Sequence, residues 1–239
     1  MRKPRLTSVL PCALFLLCAL HQSAMAQSTL VTVPSTDVVS PNKLYLEFDF
    51  TSNYAWERHG SFQSYGPRAV VGVGRDIEVG VNVAYTHLSG ASQPIEVQPN
   101  IKWRFYNNEK NGVAAAAGCV LYAPVTHRTG ADTFGLCYMV FSKKMNSRFG
   151  PRFTGGTYTL LGRDDGAGAR SGAIAGYEQP LHKRVSFVMD WFSGRNRFGY
   201  VTPGFSFATS RRSVLYSGYS IGNSGPRNHA LFGFYGVTF

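Results

Sequence analysis

The chain has 239 residues, 44% of them hydrophobic and 14% aromatic, and 24 Lys and Arg against 13 Asp and Glu give a formal charge of +11. That length is enough for one or two domains. The positive balance comes with no basic-aromatic motif, so nucleic acid is not expected as a partner. No run after the first 26 residues is long and apolar enough for a spanning helix, which argues against residence in an inner membrane.

Arg2, Lys3 and Arg5 form a basic start, "VLPCALFLLCAL" a short apolar run, and Ala24-Met25-Ala26 a small-residue cleavage site. Together they read as a signal peptide over 1–26, leaving an exported chain that starts at Gln27. Its removal takes away three cations, Cys12 and Cys18, so Cys119 and Cys137 remain in a compartment where a disulfide persists. Residues 27–40 form a polar lead-in, expected to be mobile. From 41 to 239 the pattern is that of one domain.

Strict period-two alternation begins with "KLYLEFDF", where Leu44, Leu46, Phe48 and Phe50 oppose Tyr45, Glu47 and Asp49. "RDIEVGVNVAYTHLSG" sets Ile77, Val79, Val81, Val83 and Tyr85 against Glu78, Gly80, Asn82 and Thr86. "PIEVQPNIKWRF", "RVSFVMDWF" and "YVTPGFSF" repeat the pattern, and "HALFGFYGVTF" ends it. Turn signals divide the chain into about twelve strands, each near the roughly 9–11 residues a tilted membrane strand needs. They centre on Phe48, Ala69, Val81, Ile101, Ala117, Tyr138, Gly155, Ala175, Met189, Gly204, Gly218 and Tyr235. The eighth, "SGAIAGYEQP", alternates least, which leaves a ten-strand count open.

Alternation alone does not separate a soluble sandwich from a lipid-facing barrel. The strand number, the even spacing of connections and the leader favour the barrel. So does the terminal strand, in which Tyr235, Val237 and Phe239 resemble the signal that barrel-assembly machinery reads at insertion; Phe234 stands where such signals usually have glycine. In hydrocarbon every backbone polar group must pair within the protein, and only a closed sheet leaves no edge. The expectation is an all-β, closed antiparallel up-and-down barrel in the bacterial outer membrane, monomeric and surrounded by lipid. Its connections look too short to fold back as a plug.

Matching oily faces across hairpins limits register to steps of two. A turn near Glu57–Arg58 sets Glu47 opposite Arg68, and a turn centred on Ala91 sets Glu78 opposite Arg104. Both pairs are expected on the inner wall, either neutralising one another or lining a path for a polar solute, with acids and bases roughly balanced. A hairpin centred on Arg128 sets Cys119 opposite Cys137, within reach of a disulfide whose sulfurs point to the lumen.

Few residues suggest chemistry. His87 and Ser89 in "THLSG" resemble the pair of outer-membrane phospholipases and lipid A deacylases, but no orienting Asn or Glu occupies the next strand. Asp164 and Asp165 lack a calcium-loop pattern. No metal set, cofactor motif or catalytic group stands out, so no enzyme is expected.

The segments "DWFSGRNRFGYVTPGFSFA" (190–208), "YSGYSIGN", "YGVTF", "RDIEVGVNVAY" and "IKWRF" resemble a bacterial outer-membrane β-barrel family of transporters associated with the meta-pathway of phenol degradation. The resemblance implies a narrow channel or transporter for small solutes, hydrophobic or aromatic ones included. Asp190, Gly194, Pro203 and Gly204 match its pattern and read as fold elements. A non-transporting structural or surface-interaction barrel is the alternative, and a lipid esterase using His87 and Ser89 the third.

Overall fold

The computed structural model describes residues 28–53, 61–88, 93–126, 132–162, 168–225 and 229–239. The leader, Ser89, Asp164 and Asp165 lie outside them. The strands are β1 (Leu44–Asn53), β2 (Phe62–Gly74), β3 (Ile77–Leu88), β4 (Glu96–Asn108), β5 (Val113–Pro124) and β6 (Phe134–Lys144). They continue as β7 (Arg152–Gly162), β8 (Ser171–His182), β9 (Val185–Phe192), β10 (Tyr200–Ala208), β11 (Ser213–Gly222) and β12 (Ala230–Thr238). Each pairs antiparallel with the next, and β1 pairs with β12 to close a twelve-strand barrel. Each of the twelve expected centres falls in its own strand.

The seam closes at the two chain positions nearest one end. Phe239 N donates to Leu44 O at 2.8 Å, and Leu44 N donates to Phe239 O at 3.3 Å. At that end, called here the turn end, short connections join β2–β3, β4–β5, β6–β7, β8–β9 and β10–β11. The other six connections define the loop end.

The ten-strand count falls because β8 is fully paired on both sides. Its alternation is muted for a steric reason. A Cβ at Gly172 would strike Tyr158, and one at Gly176 would strike Leu30. Gly204, in mid-strand, relieves crowding likewise: a Cβ there would meet the Phe232 ring at 2.7 Å.

The outer face is the oily one. Val81 is 40% exposed and Trp103 53%, whereas inward Glu78 is 1% exposed and Lys102 2%. The inner wall is not uniformly wet, however. Phe134, Leu136, Val140, Leu160, Ile174 and Phe192 form an apolar sector inside β6–β9, packed against Leu30 and Val33.

Those two residues belong to the lead-in, and the expectation of a mobile segment there is overturned. Residues 28–39 run inside the barrel, with Leu30, Val31, Val33, Ser35, Thr36 and Val39 all buried. A segment of this chain does plug the lumen; it precedes the first strand rather than connecting two.

The cysteine register is as expected, with Cys119 opposite Cys137 and the two joined in a disulfide. The facing is the reverse. Leu121 and Met139, which share the cysteines' parity, are exposed on the outer surface, while Leu136 and Phe134 turn inward. The sulfurs therefore lie on the outer face, because the apolar side chains between them are needed within to cover the plug. The bridge spans 18 residues, a loop whose closure contributes about 3 kcal/mol. The unfolded, unreduced mature protein is expected to show no alkylatable thiol. After reduction in bilayers the thiols should react with a membrane-soluble maleimide and resist a charged one, and Cys119→Ala should lower unfolding stability by about 3 kcal/mol.

Candidate functional site

The plug is a tight hairpin. Thr29 bridges Pro34, Leu30 N donates to Val33 O at 2.8 Å, and Ser35 N donates to Ser28 O at 3.2 Å. Its apex turns three successive amides toward one carboxylate. Val31 N, Thr32 N and Val33 N donate to Asp190 Oδ2 at 2.9, 2.7 and 2.8 Å, and Thr32 Oγ1 donates to Oδ1 at 3.1 Å. Successive amides of this kind form an anion-binding concavity, and hydrogen bonds to an ionised acceptor are the strong ones. Val31 packs with Val188, Tyr216 and Phe232, so apolar contact and charge hold the same apex.

The stem is gripped near the turn end. Lys102 Nζ donates to Ser28 O at 2.8 Å and lies 3.0 Å from Glu78, whose other oxygen accepts from Val39 N at 2.7 Å. Thr36 Oγ1 and Ser142 Oγ are 2.6 Å apart. Arg152 bridges Asp37 at 2.5 Å and also binds Glu178. Burial pushes the Asp37 carboxyl up, but the Arg152 guanidinium outweighs it and holds Asp37 below the ordinary aspartate value. A Cβ at Gly72 would collide with the Val39 and Ser40 carbonyls, so glycine is what lets the stem pass the wall.

The expected Glu47–Arg68 pair forms at 3.0 Å, and Arg68 Nη1 also donates to Thr29 Oγ1 at 3.2 Å. The expected Glu78–Arg104 pair does not form. Glu78 stands opposite Lys102, one two-residue step away, and Arg104 instead binds Asp76 at 2.6 Å beside the β2–β3 turn. Parity was sound, but the loop that sets the step carries no turn signal strong enough to choose between centres at 90 and 91. Glu47–Arg68 and Glu78–Lys102 both touch the plug: they are its seat.

A second closure lies at the loop end. Between β9 and β10, residues 193–199 fold inward, pinned where Asn196 Nδ2 donates to Tyr158 Oη and Ala169 O, both at 2.7 Å. Asn223 Nδ2 holds the same segment by Phe192 O and Gly194 O, each at 2.8 Å. Gly194 permits the turn with a φ of 91°. Arg197 then reaches across the mouth to Glu96 on β4, donating to both oxygens at 2.9 and 2.8 Å. Its guanidinium lies 5.1 Å over Tyr122 and 5.3 Å over Phe134, with Phe198 packed beside them. In the strand order β4 stands nearly opposite β9 and β10, so this pair spans the opening.

Between plug and latch lies a chamber of about 370 Å³. Arg68, Asn82, Asn100 and Thr86 line one wall; Tyr122, Leu136, Tyr138 and Phe198 line the other, and Val31 and Thr32 form the floor. A space of this size, half apolar with a few polar groups, suits a small organic molecule. The described charges inside the barrel show a small excess of acids over the expected rough balance: Asp37, Glu47, Asp49, Glu78, Glu96, Glu178 and Asp190 against Arg68, Lys102, Arg104, Arg152 and Arg197.

Sequence reasoning missed the plug, the pairing of Lys102 with Glu78, and the Glu96–Arg197 latch. Asp190 offered a signal. Its cross-strand partners are Gly176 and Thr202, so an inward acid without a neighbouring base needs a partner from elsewhere. His87 stands exposed on the outer face, paired with Gln63. Among the described residues no group of three His, Cys, Asp or Glu could hold a metal ion.

No family model and no curated protein matches this sequence. Among solved structures, the COG4313 outer membrane channel from Pseudomonas putida F1 aligns over 84% of this chain and 97% of that one, with 14% identity and a TM-score of 0.51. The low-pH structure of Pseudomonas putida OprB aligns over 82% of this chain and 91% of that one, with 7% identity and a TM-score of 0.42. CdiB from Acinetobacter baumannii aligns over 84% and 60%, with 8% identity and a TM-score of 0.37. The chain thus shares the barrel fold of a solved outer-membrane channel.

Two outcomes are expected at the plug seat. In a double-mutant cycle, Glu78→Ala or Lys102→Ala alone should destabilise the folded barrel by about 3–5 kcal/mol, and the double variant by less than the sum. Asp190→Ala leaves three amides without an acceptor, so it should weaken seating by at least about 3 kcal/mol, read as lost hydrogen-exchange protection at Val31, Thr32 and Val33.

Proposed function

We propose that the protein is a gated outer-membrane channel for small solutes, held shut at rest by its own N-terminal segment. The observation that carries this reading is the plug's mode of attachment. Apart from its chain connection to β1 it is bound to the wall only through hydrogen bonds, ion pairs and apolar contact, and it contributes no strand to the sheet, so it can leave while the barrel stays closed. The Arg197–Glu96 latch is likewise a noncovalent closure on the opposite side of the chamber.

In this reading the leader exports the chain. Tyr235, Val237 and Phe239 present it to the barrel-assembly machinery, and the monomer sits with its turn end toward the periplasm. The excess of carboxylates along the path favours cations over anions. The aromatic wall of the chamber supports passage of amphipathic solutes with a ring or short apolar body, in keeping with the resemblance to aromatic-compound transporters. The density of plug contacts favours one second reading, a permanently sealed structural barrel.

Planar-bilayer recording separates the two. The wild type should open rarely and briefly. Deleting residues 28–36 should give long-lived openings of larger, cation-preferring conductance, and Arg197→Ala should raise opening frequency. A deletion variant that keeps the heat-modifiable mobility of a folded barrel yet passes no current would refute the channel.

A further inference from the structure

The turn end carries a collar of cations. The end of β6 supplies Lys143 and Lys144, the β6–β7 turn Arg148, the β8–β9 turn Lys183 and Arg184, and the β10–β11 turn Arg211 and Arg212. Arg75 on the β2–β3 turn, Lys110 on the β4–β5 turn and Lys43 before β1 complete the circuit, and all of these side chains are exposed. Two exposed acids lie at this level, Glu109 and the Asp76 already bound to Arg104. The loop-end connections, by contrast, mix arginines with acids such as Glu57, Asp132, Asp164 and Asp165.

We propose that this collar binds the phosphate headgroups of anionic phospholipids in the leaflet on the turn side. Its level is the first argument. Val73, Phe141 and Leu181 are among the most exposed apolar residues of the outer wall, at 57%, 51% and 55%, and each lies two residues before a collar cation. The cations therefore begin where the wall for hydrocarbon stops, which is where lipid phosphates stand. Long basic side chains reach that plane while their stems cover apolar surface. At Arg148 the guanidinium lies 5.3 Å over the exposed Phe149 ring, the aromatic-and-cation arrangement of a membrane interface.

The distribution is the second argument. The collar runs through all five turns. A single macromolecular partner needs a patch on one side, whereas an annulus of lipids meets every side. A basic segment at a negatively charged membrane surface gains attraction with each residue, and salt screens it.

The test uses the full mature barrel carrying Trp56→Phe and Trp191→Phe, so that outward Trp103 is the reporter. Trp103 pairs with Ile77, two residues from Arg75. Its quenching is compared for brominated phosphatidylglycerol and brominated phosphatidylcholine. At low salt the anionic lipid should be preferred about fivefold, and Arg75→Asn with Lys110→Asn should bring the two lipids level. Asn suits position 75, where φ is 52°. Half-molar salt should level them in the unsubstituted barrel too. Equal quenching by both lipids at low salt would overturn the proposal, as would a preference that survives the substitutions. Binding to purified peptidoglycan with no lipid preference would likewise overturn it, assigning the collar to the cell wall.

Discussion

Hydrocarbon offers the backbone nothing to bond with, so a sheet placed there must close on itself. Closing with twelve strands has a second consequence. Eight strands make a barrel whose interior side chains just fill it; twelve enclose space that the wall cannot fill alone. The inward Asp190 then needs a partner that neither adjacent strand provides, and Glu78 keeps one oxygen free of Lys102. Residues 28–39 answer both, offering amides to the acids and Leu30 and Val33 to the apolar sector.

The distribution of charge follows from that arrangement. Buried ion pairs recover their desolvation only when geometry and further hydrogen bonds are good. Glu78 meets the condition by engaging Lys102, Ser28 and Val39 together. Arg68 divides itself between Glu47 and Thr29. These groups stabilise a seated segment more than they line a free path, and departure of the plug would expose both to water in the lumen, where they regain hydration. That exchange makes reversible opening energetically reasonable. The Arg197–Glu96 pair is built on the same plan at the loop end, with aromatic rings in place of amides beside the cation.

Much of the wall was legible from alternation, because period two depends only on which face is oily. That logic located twelve strands, including a weak β8, and placed Glu47 opposite Arg68 and Cys119 opposite Cys137. It failed wherever the interior is itself apolar. Phe134 and Leu136 look like lipid-facing residues until Leu30 and Val33 are set against them, and the disulfide was turned inside out as a result. The β3–β4 register slipped by one permitted step, since nothing in alternation distinguishes Lys102 from Arg104. The plug has no period to read: it is held by single hydrogen bonds from its backbone to distant side chains, and such partners leave no local pattern. Asp190 was visible as a residue and silent about what it holds.

The whole arrangement depends on residues 28–39 sitting inside the barrel. Thr36 and Ser142 bring their hydroxyls to 2.6 Å, one from the plug and one from β6. With Cys119 and Cys137 replaced by alanine, Thr36→Cys combined with Ser142→Cys tests that placement directly in outer-membrane preparations under mild oxidation. Rapid, near-complete formation of an intramolecular disulfide that shifts gel mobility and is reversed by reductant is expected. Two thiols that stay free and react at once with a charged, water-soluble maleimide would contradict it.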